Sequence, residues 1–157
     1  MKQNSSDKIQ EKLLAFDPTL KIIKFDASTR TSADAAQAIG CEVRQIAKSI
    51  VFRGKSGTPY LVIASGENRI DEKKIRSRVE EKVEKADAAF TLEVTGYAIG
   101  GIPPSFHSAP LRTLIDQELL QYDPIWAAAG TPHSVFQLTP AQLLAMSGGE
   151  VLDVKKE

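Results

Sequence analysis

The stretch RQIAKSIVFRG, residues 44–54, has the composition of a buried β-strand that carries one lysine. Side chains of an extended chain alternate between the two faces of a sheet, so Lys48 is predicted to share a face with Ile46, Ile50 and Phe52. An ammonium on an apolar face needs a partner, because an unpaired charge withdrawn from water costs several kcal/mol or loses its proton. The sequence therefore predicts a buried strand whose lysine has a specific partner.

Composition and charge restrict the class of protein. The chain has 157 residues, of which 42% are hydrophobic and 25% charged, and the expectation is one globular domain spanning 1–157. The 20 lysines and arginines equal the 20 aspartates and glutamates in number. We therefore expect no DNA partner, and any RNA must be held by shape. No apolar run approaches about 18 residues and the leader MKQNSSDKIQ is polar, so we expect a soluble, cytoplasmic protein without a membrane partner.

The segments before and after the Lys48 strand alternate between helical and extended patterns. Upstream, the first predicted element is a helix with Ile9, Leu13 and Phe16 on one side and Ser5 or Ser6 as its cap. A strand, LKIIKF, follows it. A second helix is predicted over 33–39, with Thr31 or Ser32 as its cap and Gly40 at its end. Downstream, they are a strand PYLVIA, a helix from Asp71 with Ile75, Val79 and Val83 on one face, and a helix from Asp87 to Gly96.

The second half of the chain is rich in predicted strands. These are YAIGGI, LRTLI, IWAAAG, SVFQL and EVLDV, and a helix capped by Thr139 separates the last two. Strands that alternate with helices in this way indicate a mixed α/β domain.

Motifs of common hydrolases are absent from the sequence. There is no GxSxG elbow, no GxxxxGK phosphate loop and no HExxH, and His107 and His133 are far apart from each other and from the single cysteine, Cys41. We therefore predict neither a metal site nor a cofactor. Lys48 and Ser49 cannot form a catalytic dyad, because adjacent strand residues point to opposite faces. In an enzyme of this sequence, the nucleophile would be water or part of the substrate.

The loop in TGYAIGGIPPSFH contains a glycine pair inside a strand pattern. Gly100 and Gly101 suggest that another backbone or a ligand approaches the main chain closely, and Pro103 and Pro104 stiffen the exit. Main-chain amides of such a loop can stabilise a carbonyl oxygen that gains negative charge, and one such donor is typically worth ~10²- to 10³-fold in rate. The alternative interpretation is a β-bulge followed by a proline turn.

A second loop, AAAGTPHSV, is predicted to form a tight turn between two strands. Its residues 130–134 would raise His133 to the edge of a pocket. The alternative is an ordinary surface histidine. Both loops follow predicted strands, as a pocket at one edge of a sheet requires.

At these residues the sequence resembles the YbaK/prolyl-tRNA synthetase-associated editing domains, freestanding or inserted deacylases that hydrolyse wrongly charged tRNA. The resemblance covers residues 27–154. It rests on QIAKSIVF, the glycine-x-x-x-proline loop of TGYAIGGIPP, LIDQELL with Asp116, and AAAGTPHSVFQLTPAQLL. It implies a single domain with a curved mixed β-sheet flanked by helices, no cofactor, mischarged tRNA as partner, and an aminoacyl-tRNA synthetase as a further candidate partner.

The resemblance also implies roles for individual residues. Lys48 would anchor the substrate next to the terminal adenosine, the amides of Gly100 and Gly101 would surround the aminoacyl carbonyl, and His133 would shape or polarise the pocket. Further substrate-binding residues implied in this way are Ile46, Ser49, Ile102, Pro104, Asp116, Gly130 and Thr131. Water would attack the ester, oriented by a ribose hydroxyl or by the amino acid itself, since no obvious general base is present.

Departures from the family pattern narrow the expected substrate. The cysteinyl-tRNA deacylase branch typically has serine-glycine-glycine where this chain has Ala128-Ala129-Gly130, and it lacks a histidine matching His133. The resemblance therefore favours removal of alanine, serine or another small residue from tRNA(Pro), where a small pocket excludes proline by clash. A glycine usually precedes the histidine that matches His107, so we assign His107 no role. The alternatives are a noncatalytic module that binds aminoacyl-tRNA or a synthetase, and an unrelated small-molecule hydrolase, which lacks a nucleophile or metal.

Overall fold

The computed structural model describes the backbone of residues 5–157 and the side chains from residue 8 onward. The helices in this part are α1 (Ser5–Phe16), α2 (Ser32–Ile39), α3 (Glu72–Val79), α4 (Ala88–Thr95) and α5 (Pro140–Ser147). The strands are β1 (Ile22–Lys24), β2 (Ile46–Gly54), β3 (Pro59–Ser65), β4 (Val83–Lys85), β5 (Arg112–Asp116), β6 (Ile125–Ala128), β7 (Ser134–Leu138) and β8 (Glu150–Leu152).

The strands form one open mixed sheet in the order β1-β7-β6-β2-β3-β5-β8, and β4 pairs with β2 beside this path. The long hairpin of β2 and β3 is antiparallel, whereas β6 runs parallel to β2 and β5 runs parallel to β3. The prediction of a mixed α/β fold is confirmed.

Apolar side chains cover both faces of the central hairpin. Ala47, Val51, Leu61 and Ile63 belong to the main core, and the second core on the opposite face contains Phe52, Tyr60, Val62 and Ala64. Strand β3 is a nearly continuous apolar run because it is buried on both sides. The two faces of β2 are therefore both apolar, and Lys48 is only half-buried within them.

Local capping signals place most helix ends where the sequence predicts them. Thr31 accepts a hydrogen bond from the amide of Asp34 at the start of α2, and the helix ends at Gly40 in the left-handed region. Thr139 forms the predicted capping box with Gln142 at the start of α5. The side chains of residues 5–7 lie outside the described part of the chain, so capping of α1 by Ser5 or Ser6 stays a prediction.

The predicted strand YAIGGI is wrong. Residues 98–101 form a β-turn in which the Gly101 amide donates to the Ala98 carbonyl at 3.0 Å, and Gly100 has a φ of +91°. The third position of a type II turn requires such a positive φ. A strand cannot continue through it, and Pro103 then lacks the amide that a ladder needs.

The helix predicted from Asp71 includes Val83, which lies four residues beyond the end of the helix in the structure. Helix α3 ends at Val79, because Glu80 adopts a left-handed φ of 62°. Val83 lies in β4, opposite Gly54 of β2. Val83 has the spacing of a helical residue, but pairing with β2 decides its conformation. This pairing is a tertiary contact, which the local periodicity of the sequence cannot reveal.

Candidate active site

Strand β2 has a gap on one of its two sides. There, β6 pairs with β2 only at residues 46–47 and β4 only at residues 52–54. Within the described ladders, residues 48–50 thus have a strand neighbour on the β3 side alone. A cavity of about 320 Å³ lies at this gap. Its walls are Thr29, Arg30, Thr31, Ser32, Ala35, Ile46, Ala47, Lys48, Ser49, Ile50, Lys85, Ile99, Gly100, Ile102, Trp126, Ala127, Ala128 and Val135.

The charged groups around the cavity are all cationic. Arg30, Lys48 and Lys85 contribute to its wall, and the described residues that line it include no aspartate or glutamate. The remaining wall is largely apolar. A concave site with one sign of charge and apolar walls concentrates field lines and favours a ligand that combines an anionic group with an apolar body.

Lys48 has main-chain oxygens as partners. Its Nζ donates to the carbonyls of Gly66, at 3.5 Å, and Asn68. Burial lowers the pKa of Lys48, nearby Lys85 lowers it further, and the Asp116 carboxylate opposes both effects. The ammonium is thus oriented by the protein before any ligand binds.

Asp116 acts from behind the cavity. It is fully buried, and its Oδ2 accepts from the Ser65 amide at 3.1 Å and from Asn68 Nδ2 at 2.9 Å. Its Oδ1 accepts from the Glu118 amide at 3.0 Å. Since Asn68 also holds Lys48, Asp116 fixes the segment that orients the ammonium.

The glycine pair lies in a crowded turn. A Cβ on Gly100 would lie 2.4 Å from Cγ of Arg30, and a Cβ on Gly101 would lie 3.0 Å from Cα of Thr131. The Gly101 carbonyl accepts from the Gly130 amide at 2.9 Å. Another part of the backbone therefore approaches Gly101 closely, which is one of the two explanations that the sequence suggested.

The two glycine amides differ in availability. The Gly101 amide is bound to the Ala98 carbonyl. The Gly100 amide has no acceptor within residues 5–157, and Gly100 lines the cavity. Of the two glycines, Gly100 is therefore the one that can offer its amide beside the cavity.

His133 lies on the turn next to the cavity and is exposed. Its Nδ1 is 3.2 Å from the Ala27 carbonyl oxygen, and its own carbonyl accepts from the Phe25 amide at 2.8 Å. It does not line the cavity.

His107 lies behind the loop that the sequence singled out. Its Nε2 is 2.7 Å from the Pro103 carbonyl oxygen, and burial lowers the pKa of His107, with this hydrogen bond opposing the shift. The preceding Phe106 has a φ of +66°, the region that favours glycine. This conformation suits the glycine that the resemblance places directly before the histidine.

The structure brings together only part of the predicted site. Five of the predicted site residues line the cavity: Lys48, Gly100, Ile46, Ser49 and Ile102. The other six do not line it: Gly101, His133, Pro104, Asp116, Gly130 and Thr131. Lys48 and Ser49 both reach the cavity even though they lie on opposite faces of β2, because the cavity occupies the gap at the strand edge. They are not hydrogen-bonded to each other.

Sequence reasoning missed most of the wall, including Thr29, Arg30, Lys85 and Trp126. Thr29 and Arg30 immediately precede the capped helix α2, and the long apolar strand pattern of β6 carries Trp126. Those signals indicate structure without indicating a site. Lys85 had no usable signal, since the neighbouring Val83 was predicted to lie in a helix and strand β4 was not predicted.

The described residues contain neither a cluster of potential metal ligands nor a membrane-spanning helix. No group of three or more His, Cys, Asp or Glu side chains within residues 5–157 is placed to hold a metal ion. Among the helices of that same part, none is both long and apolar enough to cross a membrane.

Comparison with known proteins assigns the family. Residues 26–146 match the aminoacyl-tRNA editing domain, a region that contains every residue of the cavity wall. The chain belongs to the aminoacyl-tRNA editing domain family. The resemblance to YbaK-type editing domains is thereby confirmed, and members of this family act on mischarged aminoacyl-tRNA.

Individual relatives support the family assignment. The uncharacterized protein YwhH of Bacillus subtilis is 33% identical over 137 residues, which are 87% of each chain. An Enterococcus faecalis protein named "Putative Cys-tRNA(Pro)/Cys-tRNA(Cys) deacylase EbsC" is 26% identical over 79% of this chain and 76% of its own. A crystal structure described as a putative trans-editing enzyme for prolyl tRNA synthetase superposes with a TM-score of 0.91 at 42% identity, covering 100% of both chains.

Proposed function

We propose that this protein is a trans-editing aminoacyl-tRNA deacylase that hydrolyses the ester of mischarged tRNA, with tRNA(Pro) carrying alanine, serine or another small residue as its substrate. The observation that carries the proposal is the cationic cavity at the β2 gap, which places Lys48 beside the Gly100 turn. The relative described as a trans-editing enzyme for prolyl tRNA synthetase supports the choice of tRNA.

The charges of the cavity suit the end of a tRNA. Arg30, Lys48 and Lys85 would bind the phosphate next to the terminal adenosine, because cations dominate the affinity of proteins for the nucleic-acid backbone. Trp126 offers an aromatic surface on which a base can stack. No acidic side chain of the described cavity wall opposes this arrangement.

The reaction needs a donor at the carbonyl and a nucleophile. The Gly100 amide would bind the carbonyl oxygen as it gains negative charge. The oxygen of a water molecule attacks the carbonyl carbon, the bond to the ribose oxygen breaks, and that oxygen takes up a proton, releasing the free amino acid and tRNA. The described residues of the cavity wall include no histidine or carboxylate, so a hydroxyl of the terminal ribose or the amino group of the substrate would orient the water.

The other predicted site residues would act by shaping the cavity. Ile46, Ser49 and Ile102 would contact the substrate directly. Gly101, Gly130 and Thr131 hold the two loops against each other, and His133 ties the second loop to Ala27. Pro104 stiffens the exit of the first loop, and Asp116 positions Lys48 through Asn68.

The test is deacylation of a panel of proline tRNAs charged with alanine, serine, cysteine, 2-aminobutyrate or proline. We expect the wild type to clear a small residue, to spare proline, and to lose ~10²-fold or more of its rate in Lys48→Ala. Lys73→Ala on the exposed face of α3 is the matched control and should retain the rate. Hydrolysis of no charged tRNA above the blank would contradict the proposal and leave a noncatalytic module that binds aminoacyl-tRNA. If cysteine is removed fastest, the substrate part of the proposal is wrong, and the activity is the one named for the Enterococcus relative.

A further inference from the structure

Two side-chain hydroxyls in the cavity wall lack hydrogen-bond partners. They are Oγ1 of Thr29 and Oγ of Ser49, both buried. Thr29 as a whole is only 5% exposed. Buried hydroxyls in proteins are normally satisfied, because a hydroxyl that loses its water without gaining a partner costs free energy.

Other buried hydroxyls of this protein follow that rule. Thr95 donates to the Thr91 carbonyl at 2.7 Å, Ser65 donates to the Arg44 carbonyl at 2.8 Å, and Ser134 donates to the Ala129 carbonyl at 3.3 Å. Within the described side chains, Thr29 and Ser49 supply the only buried N or O atoms without a partner, and both belong to the cavity wall. This coincidence indicates a partner that the cavity receives from outside.

The main chain fixes both residues at the cavity. The Thr29 amide donates to the Pro132 carbonyl at 2.6 Å, which ties it to the second loop. The Ile46 carbonyl accepts from Gly66 on the β3 side, so the alternation of a strand directs the main-chain groups of Ser49 to the other side, toward the gap. Ser49 is therefore held where β2 has no neighbouring strand.

We propose that the hydroxyls of Thr29 and Ser49 bind the side-chain hydroxyl of a seryl group, an inference that rests on the proposed function. These contacts would make the enzyme select serine over alanine. Neither hydroxyl makes a hydrogen bond, so a rotation about χ1 that brings it to a ligand in the cavity would break none. A pair of hydroxyls suits a ligand hydroxyl, because each group both donates and accepts. The phosphate would have Arg30, Lys48 and Lys85 as its partners, which leaves the unpaired hydroxyls of Thr29 and Ser49 for the aminoacyl side chain.

The preference for serine over alanine follows from the hydrogen bonds that each substrate gives to the two hydroxyls. Seryl-tRNA would give the two hydroxyls a partner, whereas alanyl-tRNA would leave them buried and unpaired. Sites that hydrogen-bond a substrate hydroxyl reject the analogue that lacks it much more strongly than apolar pockets reject a missing methylene. We expect kcat/KM for seryl-tRNA(Pro) to exceed that for alanyl-tRNA(Pro) by ~10- to 10²-fold.

The experiment measures kcat/KM for seryl-, alanyl- and 2-aminobutyryl-tRNA(Pro) with the wild type, Ser49→Ala, Thr29→Val and Thr29→Ser. Ser49→Ala and Thr29→Val should each lower the serine-to-alanine ratio by ~10-fold, and Thr29→Ser, which keeps the hydroxyl, should retain most of it. Thermal unfolding of each variant verifies that it is folded. A wild-type ratio near one overturns the inference even where a variant does not fold.

The outcomes separate this inference from the function on which it rests. If the wild type clears alanine as fast as serine, the inference is overturned while the deacylase function stands. If Ser49→Ala slows all substrates equally, the hydroxyls contact a part common to every charged tRNA, and the serine selectivity is again overturned. If no tRNA is deacylated, both proposals fail together.

Discussion

Lys48 and the buried carboxylate of Asp116 are connected through one residue. The Nζ of Lys48 donates to the main-chain carbonyl of Asn68, and the side-chain amide of Asn68 donates to Oδ2 of Asp116 at 2.9 Å. The ammonium that the sequence placed on an apolar strand therefore has its position set by a carboxylate from a different strand, β5. This relay makes Asp116 a positioning residue.

Replacing Asp116 should destabilise the fold strongly. Asp116→Ala leaves the amides of Ser65 and Glu118 without their acceptor, and each unpaired buried donor costs about 1–3 kcal/mol. It also removes one of the two acceptors of Asn68 Nδ2, which keeps its bond to Glu118 Oε2 at 2.6 Å. We expect a loss of about 3 kcal/mol or more in the free energy of unfolding, measured by urea denaturation. The control Asp26→Asn, at an exposed position, should change it by less than about 0.5 kcal/mol. Equal stability of the two variants would contradict the relay.

The pKa of Lys48 makes a prediction about stability at alkaline pH. Burial lowers the folded-state pKa of Lys48 below its unfolded value of about 10.4, so in the window between them the unfolded chain binds more protons. Stability contributed by this residue therefore rises with pH across that window. The difference in unfolding free energy between wild type and Lys48→Met should shift in favour of the wild type as pH is raised toward 10.4, about the unfolded value. Taking the difference cancels the titration of other groups, and a flat or opposite trend would refute the shift.

Two glycines with the same positive φ allow the cost of backbone strain to be measured separately from the cost of steric contact. Gly57 and Gly100 both have a φ of +91°, but a Cβ on Gly57 meets nothing within 4 Å, whereas one on Gly100 approaches Cγ of Arg30 to 2.4 Å. Gly57→Ala should cost about 1–2 kcal/mol from the backbone alone. Gly100→Ala should cost more and should also lower deacylation, which Gly57→Ala should leave intact. Urea denaturation and the deacylation assay test both statements, and similar losses in the two variants would contradict the crowding of the Gly100 turn.

At position 106, a glycine variant should be more stable than an alanine variant, the reverse of the order expected within a helix. Its φ of +66° penalises any residue with a Cβ, so Phe106→Gly should be more stable than Phe106→Ala by about 1 kcal/mol, although both lose the aromatic ring. At Leu14, an exposed position in helix α1, the order should reverse, with Leu14→Ala more stable than Leu14→Gly by about 1 kcal/mol. Thermal or urea unfolding of the four variants measures both differences. The same order at both positions would show that residue 106 does not adopt this conformation in solution.

Local sequence determined most of the secondary structure of this protein. Caps such as Thr31 and Thr139 and terminators such as Gly40 act through hydrogen bonds and backbone angles within a few residues, which makes them visible in the sequence. The errors occurred where distant partners intervene. Val83 joins β2 instead of the helix, and the apolar stretch at residues 97–102 turns at Gly100.

The sequence by itself predicted that Lys48 and Gly100 belong to one site, because each stands in a short motif that resembles a known family. Only the tertiary structure decided what surrounds them. The cavity exists because β6 and β4 pair with different ends of β2 and leave its middle open, which brings Lys85 and Thr29 to its wall. Strand pairing joins residues far apart in sequence through geometry that no local pattern encodes, so the gap and the hydroxyls beside it emerge only when the chain is folded.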